Sequence, residues 1–133
     1  MRTIVQEEYF SPEQCRANPR NLYVFGDNVD ECGLGGQACI REEPNSIGVC
    51  TKERPDNEED AFFKDNAASL AQLLDDLGWL SALAAGRFSK GHYDNLVLPA
   101  DGLGTGFAEL DKRAPRLFQI LKLSLGLLAN DEA

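Results

Sequence analysis

Two short apolar runs in this chain each end in a cluster of glycines, and the order strand, glycine loop, helix is what most narrows its fold. The first run, Leu22-Tyr23-Val24-Phe25, is β-favouring and stops at Gly26-Asp27-Asn28, three residues suited to a sharp turn. The loop passes through Gly33, Gly35 and Gly36 into Gln37-Ala38-Cys39-Ile40-Arg41, which is compatible with a helix until Glu42-Glu43-Pro44 halts it. The second run, Leu96-Val97-Leu98-Pro99, opens onto Gly102-Leu103-Gly104-Thr105-Gly106. Between them Ser46-Ile47-Gly48-Val49-Cys50 reads as a further strand, ending in Thr51-Lys52 and leaving Lys52 at a strand end.

The remaining segments fill in an alternating pattern. Arg2 to Gln6 is a short β candidate, and Ser11-Pro12-Glu13-Gln14 reads as a capped helix start that Asn18-Pro19 soon ends. An acidic loop from Glu53 to Asp60 precedes a helix with Phe63, Ala67, Leu70, Leu74 and Leu77 at helical spacing, which Gly78 interrupts or ends, and Ser81 to Gly86 adds a turn. A polar connection spans Arg87 to Asn95. The last helix runs from Lys112 to Ala129, with Ala114, Leu117, Leu121, Leu125 and Leu128 on one face and Pro115 in its first turn. Strands alternating with helices predict one α/β domain over 1–133, a three-layer α/β/α arrangement around a mostly parallel sheet.

Composition excludes several function classes. At 133 residues the chain can bury a core without disulfides or a structural metal. Its four cysteines, Cys15, Cys32, Cys39 and Cys50, form no Cys-x-x-Cys pair and the single histidine is remote, so no zinc site is expected and they read as reduced, mostly buried thiols. No segment is apolar enough to span a bilayer, and the N-terminus turns acidic before a signal-peptide core could form, which predicts a cytoplasmic protein. The formal net charge of -9 argues against broad attachment to nucleic acid, because phosphates would be repelled. Any anion site must then draw on backbone N–H groups.

In open α/β sheets ligands gather where the carboxyl ends of the strands meet loops and helix starts. Three such ends are small and polar here: Gly26-Asp27-Asn28 with the Gly33 to Gly36 loop, Thr51-Lys52, and Asp101 with the Gly102 to Gly106 loop. Glycine admits positive φ and a close backbone approach, so consecutive N–H groups can point at diphosphate oxygens; the bland alternative is that the glycines only shape turns. The spacing is neither that of a P-loop nor that of a Rossmann dinucleotide loop.

Gly-Asp-Asn after a strand, a Gly-Gly-x-Ala helix start, a strand ending in Thr-Lys, then Leu-Pro-x-x-Gly-x-Gly before a last helix: this succession resembles the macrodomain superfamily of ADP-ribose-binding modules. Within it the resemblance is closest to DNA ADP-ribosylglycohydrolase antitoxins and terminal-ADP-ribose glycohydrolases. It implies that Asp27 and Asn28 face the nucleoside end and distal ribose, that Gly35, Gly36 and Ala38 form a first diphosphate loop, and that Gly102, Gly104, Thr105 and Gly106 form a second, with Gly26, Gln37 and Leu103 also counted among the ligand-binding residues. Lys52, the lysine of Thr51-Lys52, would engage the C1″ carbon of the distal ribose, with Thr51 beside it among the ligand-binding residues. Two departures stand out: Glu53-Arg54-Pro55 replaces an aromatic-bearing segment, and Gly106 stands where some members carry an acid in the second loop.

The implied ligand is ADP-ribose or a related nucleotide with no cofactor, and an ADP-ribosylated nucleic acid or protein would be the larger partner of an enzyme. Lys52 can act as an amine nucleophile on the ring-opened ribose if burial or a cation such as Arg54 lowers its pKa, with Asp101 or Asp27 moving the proton; it can equally be a solvated lysine. Two further readings stay open, a non-catalytic sensor of an NAD-derived signal and a partner-binding domain. His92 reads as a surface-loop residue and Asp56 to Asp60 as a solvated helix start. Of Phe62 and Phe63, core packing is the expectation, with one ring over the cleft as the alternative.

Overall fold

The computed structural model describes residues 1–87 and 93–129. Its strands are β1 (Arg2–Gln6), β2 (Asn21–Asn28), β3 (Ser46–Lys52) and β4 (Asn95–Pro99), and its helices are α1 (Pro12–Ala17), α2 (Ala67–Ala84), α3 (Leu110–Arg113) and α4 (Pro115–Ala129). The strands form one sheet in the order β1-β4-β2-β3, and every pairing is parallel. The fold is α/β, as the alternating pattern predicts.

Side chains of a strand alternate between faces, so the two central strands carry apolar residues on both. Leu22 and Val24 of β2, with Leu96 and Leu98 of β4, pack beneath Leu73, Leu77, Leu80 and Leu83 of α2 and Leu117 and Leu121 of α4. On the opposite face Tyr23, Phe25 and Val97 pack against Phe10, Cys15 of α1, and Ala38 and Ile40 of a 3₁₀ helix over Gly36–Ile40. Phe10 meets Tyr23 edge-on at 5.2 Å between ring centroids.

Local signals account for the helix ends. The Ser11 hydroxyl accepts from the Gln14 N–H at 3.1 Å, and Pro12 occupies the first turn of α1. Asn66 caps α2 by accepting from the Ser69 N–H at 2.9 Å. The Asp65 carboxylate accepts from the N–H groups of Arg116 and Leu117 at 3.2 and 3.0 Å, placing a negative charge at the start of α4. No helix among the described residues is long and apolar enough to cross a membrane.

The structure corrects several sequence expectations. Gly26-Asp27-Asn28 is no turn: β2 continues through it, because β3 supplies ladder partners as far as Asn28. Thr51 and Lys52 likewise belong to β3. The helix after the acidic loop starts at Ala67, so Phe63 precedes it, and its buried stripe is Leu73, Leu77, Leu80 and Leu83, leaving Leu74 exposed. Gly78 lies inside α2, where packing outweighs its modest cost to a helix. The last helix is divided, since Ala114 departs from helical backbone before Pro115, whose ring disfavours a helical residue ahead of it. His92 falls outside the described residues.

Asn45, immediately before β3, is buried and joins the layers. Its side-chain amide donates to the carbonyls of Cys15, Asn18 and Asn21 at 2.9, 3.1 and 3.0 Å, tying α1 and the start of β2 to β3. Asn45→Ala removes all three of these bonds at once and should lower unfolding free energy by about 2 kcal/mol in urea denaturation.

Candidate functional site

The carboxyl ends of β2, β3 and β4 open together onto a cleft of about 640 Å³. Most of the residues singled out from the sequence line it. Gly26, Asp27 and Asn28 come from β2, Thr51 and Lys52 from β3, Gly35, Gly36, Gln37 and Ala38 from the first loop, and Asp101, Gly104, Thr105 and Gly106 from the second. Two do not line it. Leu103 is buried in the core beneath the sheet, and Gly102 turns away at φ +77° with its carbonyl engaged by Gln37.

The two loops are fastened to each other by one side chain. The Gln37 Oε1 accepts from the Gly26 N–H at 2.8 Å, while its Nε2 donates to the Gly102 carbonyl at 3.1 Å. Gln37 therefore positions both loops and the end of β2, a role beyond touching a ligand. Gly104 has φ +85°, and a Cβ there would stand 2.9 Å from the Leu110 Cβ, so the second loop is pressed onto α3 as only glycine permits. Among the described residues, the N–H groups of Gly35, Gly36, Thr105 and Gly106 meet no protein acceptor. These exposed backbone donors, on two loops of one cleft, can accept an anion.

Asp27 and Asn28 are committed to the structure around them. Asp27 forms an ion pair with Arg41 at 2.5 Å and accepts from the Asn28 N–H at 2.7 Å. Arg41 also donates to the carbonyls of Gly33 and Cys32, both at 3.1 Å. Asn28 closes the same loop, donating to the Cys32 carbonyl at 2.9 Å and accepting from the Cys32 N–H at 3.3 Å. Asp27 is thus paired, and of the two acids named from the sequence only Asp101, at the exposed rim, faces the cleft without a partnered carboxylate among the described residues.

Lys52 is no solvated strand-end lysine, for it is 6% exposed. Its Nζ donates to the Pro55 carbonyl at 3.4 Å and to the Asn57 Oδ1 at 3.5 Å, and lies 4.5 Å from the centroid of the Phe62 ring. Burial, the largest effect, holds its ammonium below the usual lysine range; Asp56 and Glu109 oppose this, and the Arg113 cation adds to it. The sequence pointed to Arg54 as the cation beside Lys52. Arg54 instead pairs with Asp56 and Asp60. Arg113 takes that place because α3 brings it over Phe62, with the guanidinium 3.6 Å from the ring centroid.

Phe62 and Phe63 are both buried, so neither ring lies open over the cleft. Tyr9 and Phe107 do, at 87% and 84% exposed, and sequence reading missed both. Only the folded arrangement brings them to one cleft; the available signal was a large aromatic beside a turn, at Phe107 next to Gly106. Cys32 also departs from expectation: its thiol is exposed and lines the cleft, whereas Cys15 and Cys50 are buried, with burial pushing the Cys15 thiol up to about 11. Among the described residues no three His, Cys, Asp or Glu side chains are grouped to hold a metal ion.

Gln37→Leu keeps the side-chain bulk but removes both links between the loops. It should speed hydrogen exchange at the Gly26 amide and cost about 1–3 kcal/mol in chemical denaturation, the range for orphaned buried polar groups.

Comparison with curated proteins and with solved structures found no match. A family model does match, over residues 5–124, a span that includes all four strands in whole or in part and both glycine loops. The chain therefore belongs to a family of unknown function, DUF7831.

Proposed function

We propose that the cleft binds ADP-ribose or a related NAD-derived nucleotide, in the manner of the macrodomains its motifs resemble. The observation that carries this reading is the pair of glycine loops that line one cleft, whose N–H groups at Gly35, Gly36, Thr105 and Gly106 have no acceptor among the described residues. In a chain of net charge -9, local backbone donors supply what overall electrostatics do not. The volume, about 640 Å³, suits a ligand of nucleotide size. The exposed rings of Tyr9 and Phe107 offer a planar base an apolar face at the rim. The four free thiols fit a reducing, cytoplasmic compartment.

A second reading, hydrolysis of an ADP-ribosyl bond to a nucleic-acid base or protein, is favoured by one observation. Lys52 is a buried amine at the cleft whose proton is held less tightly than usual, as an amine nucleophile at C1″ requires. Asp101 is the acid available at the rim to move a proton. A sensor of an NAD-derived signal would use the same cleft without turnover.

Titration calorimetry with ADP-ribose, NAD, cyclic ADP-ribose and AMP tests the binding reading. A diphosphate nucleotide should bind and raise the melting temperature, and no heat at millimolar ligand for any of the four overturns the proposal. Phe107→Ala should weaken binding by roughly 5- to 10-fold through loss of ring contact. Lys52→Ala should abolish release of ADP-ribose from a modified oligonucleotide or protein while leaving nucleotide binding nearly intact. Tight binding with no turnover by the unaltered protein selects the sensor instead.

A further inference from the structure

The chemistry around Lys52 extends past the cleft wall. Phe62 pairs with Lys52 in an isolated antiparallel bridge, so the ring is fixed beside the lysine by backbone as well as by packing. Two cations share that ring, with Lys52 Nζ 4.5 Å and Arg113 Cζ 3.6 Å from its centroid. Arg113 is in turn held at two edges. Its Nη1 donates to the Glu59 carboxylate at 3.1 Å, and its Nε donates to the Glu109 Oε2 at 3.4 Å. Glu109 occupies left-handed backbone at φ +49°, uncommon for a residue with a side chain, where the second glycine loop turns into α3.

We propose that Arg113, stacked on Phe62 and oriented by Glu59 and Glu109, is the positioning residue for the Lys52 amine. The inference takes its purpose from the reading of Lys52 as a reactive amine at the nucleotide site. Stacking ties the ring to α3, and the ring gives the lysine a fixed apolar seat. The arginine also places a permanent positive charge on the ring that seats the amine. Among the described residues Lys52 itself has two long, neutral hydrogen-bond acceptors, Pro55 and Asn57, and no carboxylate clamps it in place.

The charged groups acting on Lys52 come from two segments. Asp56, on the loop after β3, and Glu109, at the start of α3, favour the ammonium, while Arg113 and burial favour the neutral amine. Removing Arg113 takes away a repelling cation and unmasks Glu109, so the amine should hold its proton to higher pH. Removing the Glu109 charge should do the reverse. A residue that merely packs would not give shifts of opposite sign.

The test follows the Lys52 side-chain resonance by NMR through a pH titration of the intact protein, with Lys52→Gln assigning the signal. Arg113→Gln should raise the Lys52 midpoint by roughly half a pH unit, and Glu109→Gln should lower it by a similar amount. Arg113→Lys keeps the charge and should restore most of the midpoint, while the Phe62 ring resonances still shift because planar stacking is lost. Identical Lys52 midpoints in the unaltered protein, Arg113→Gln and Glu109→Gln would overturn the proposal, and Glu109→Gln alone decides it if Arg113→Gln fails to fold. Nucleotide binding is measured separately by calorimetry. Opposed midpoint shifts without nucleotide binding would keep the positioning role and remove the nucleotide reading; binding without such shifts would do the opposite.

Discussion

Burial of β2 on both faces of the sheet is the constraint from which the rest of this site follows. Leu22 and Val24 lie under α2 and α4 while Tyr23 and Phe25 lie under α1 and the 3₁₀ helix, so the strand reaches the edge of the core still enclosed. The polar residues at its carboxyl end must therefore find partners within the protein. Asp27 finds Arg41, and Asn28 finds the backbone of Cys32. Those partners hold the first glycine loop in place, and Gln37 then fastens it to the second. Loop shape is thus a consequence of satisfying a buried strand end.

This arrangement divides the site into residues that build it and residues free to act. Asp27, Asn28, Arg41 and Gln37 use their polar atoms on the scaffold. Backbone donors at Gly35, Gly36, Thr105 and Gly106 are left for a ligand, together with the rim rings and the buried amine of Lys52. The proposed binding of an anionic nucleotide by an acidic protein relies on N–H dipoles that act at contact distance, where the overall charge counts for less than local geometry. Desolvation acts on Lys52 in the same direction as the neighbouring Arg113, so its amine is tuned by where it sits more than by any single partner.

Much of the fold was legible because short-range physics decided it. The bounds of β1, the Ser11 cap with Pro12 in the first turn, and the succession of apolar runs with helices between them follow from local propensity and patterning. Misreadings arose where partners distant in sequence outweighed local preference. Gly26-Asp27-Asn28 has turn composition, yet pairing with β3 keeps it extended. Leu74 repeats at helical spacing but faces outward, because the sheet selects the stripe led by Leu73.

The sequence by itself determined the α/β class and the placement of small polar residues at three strand ends, since strand and helix patterns depend on neighbours a few residues apart, and their alternation, which makes each connection a crossover, pointed to the parallel sheet. Tertiary structure alone decided which of those residues could meet a ligand. It sent Leu103 into the core and tied up the Asp27 carboxylate. It also brought Tyr9 and Phe107 to one cleft and replaced Arg54 by Arg113 as the cation near Lys52. Burial, charge pairing and the shape of a cleft are set by groups far apart in the chain, so they come into being only when the layers pack.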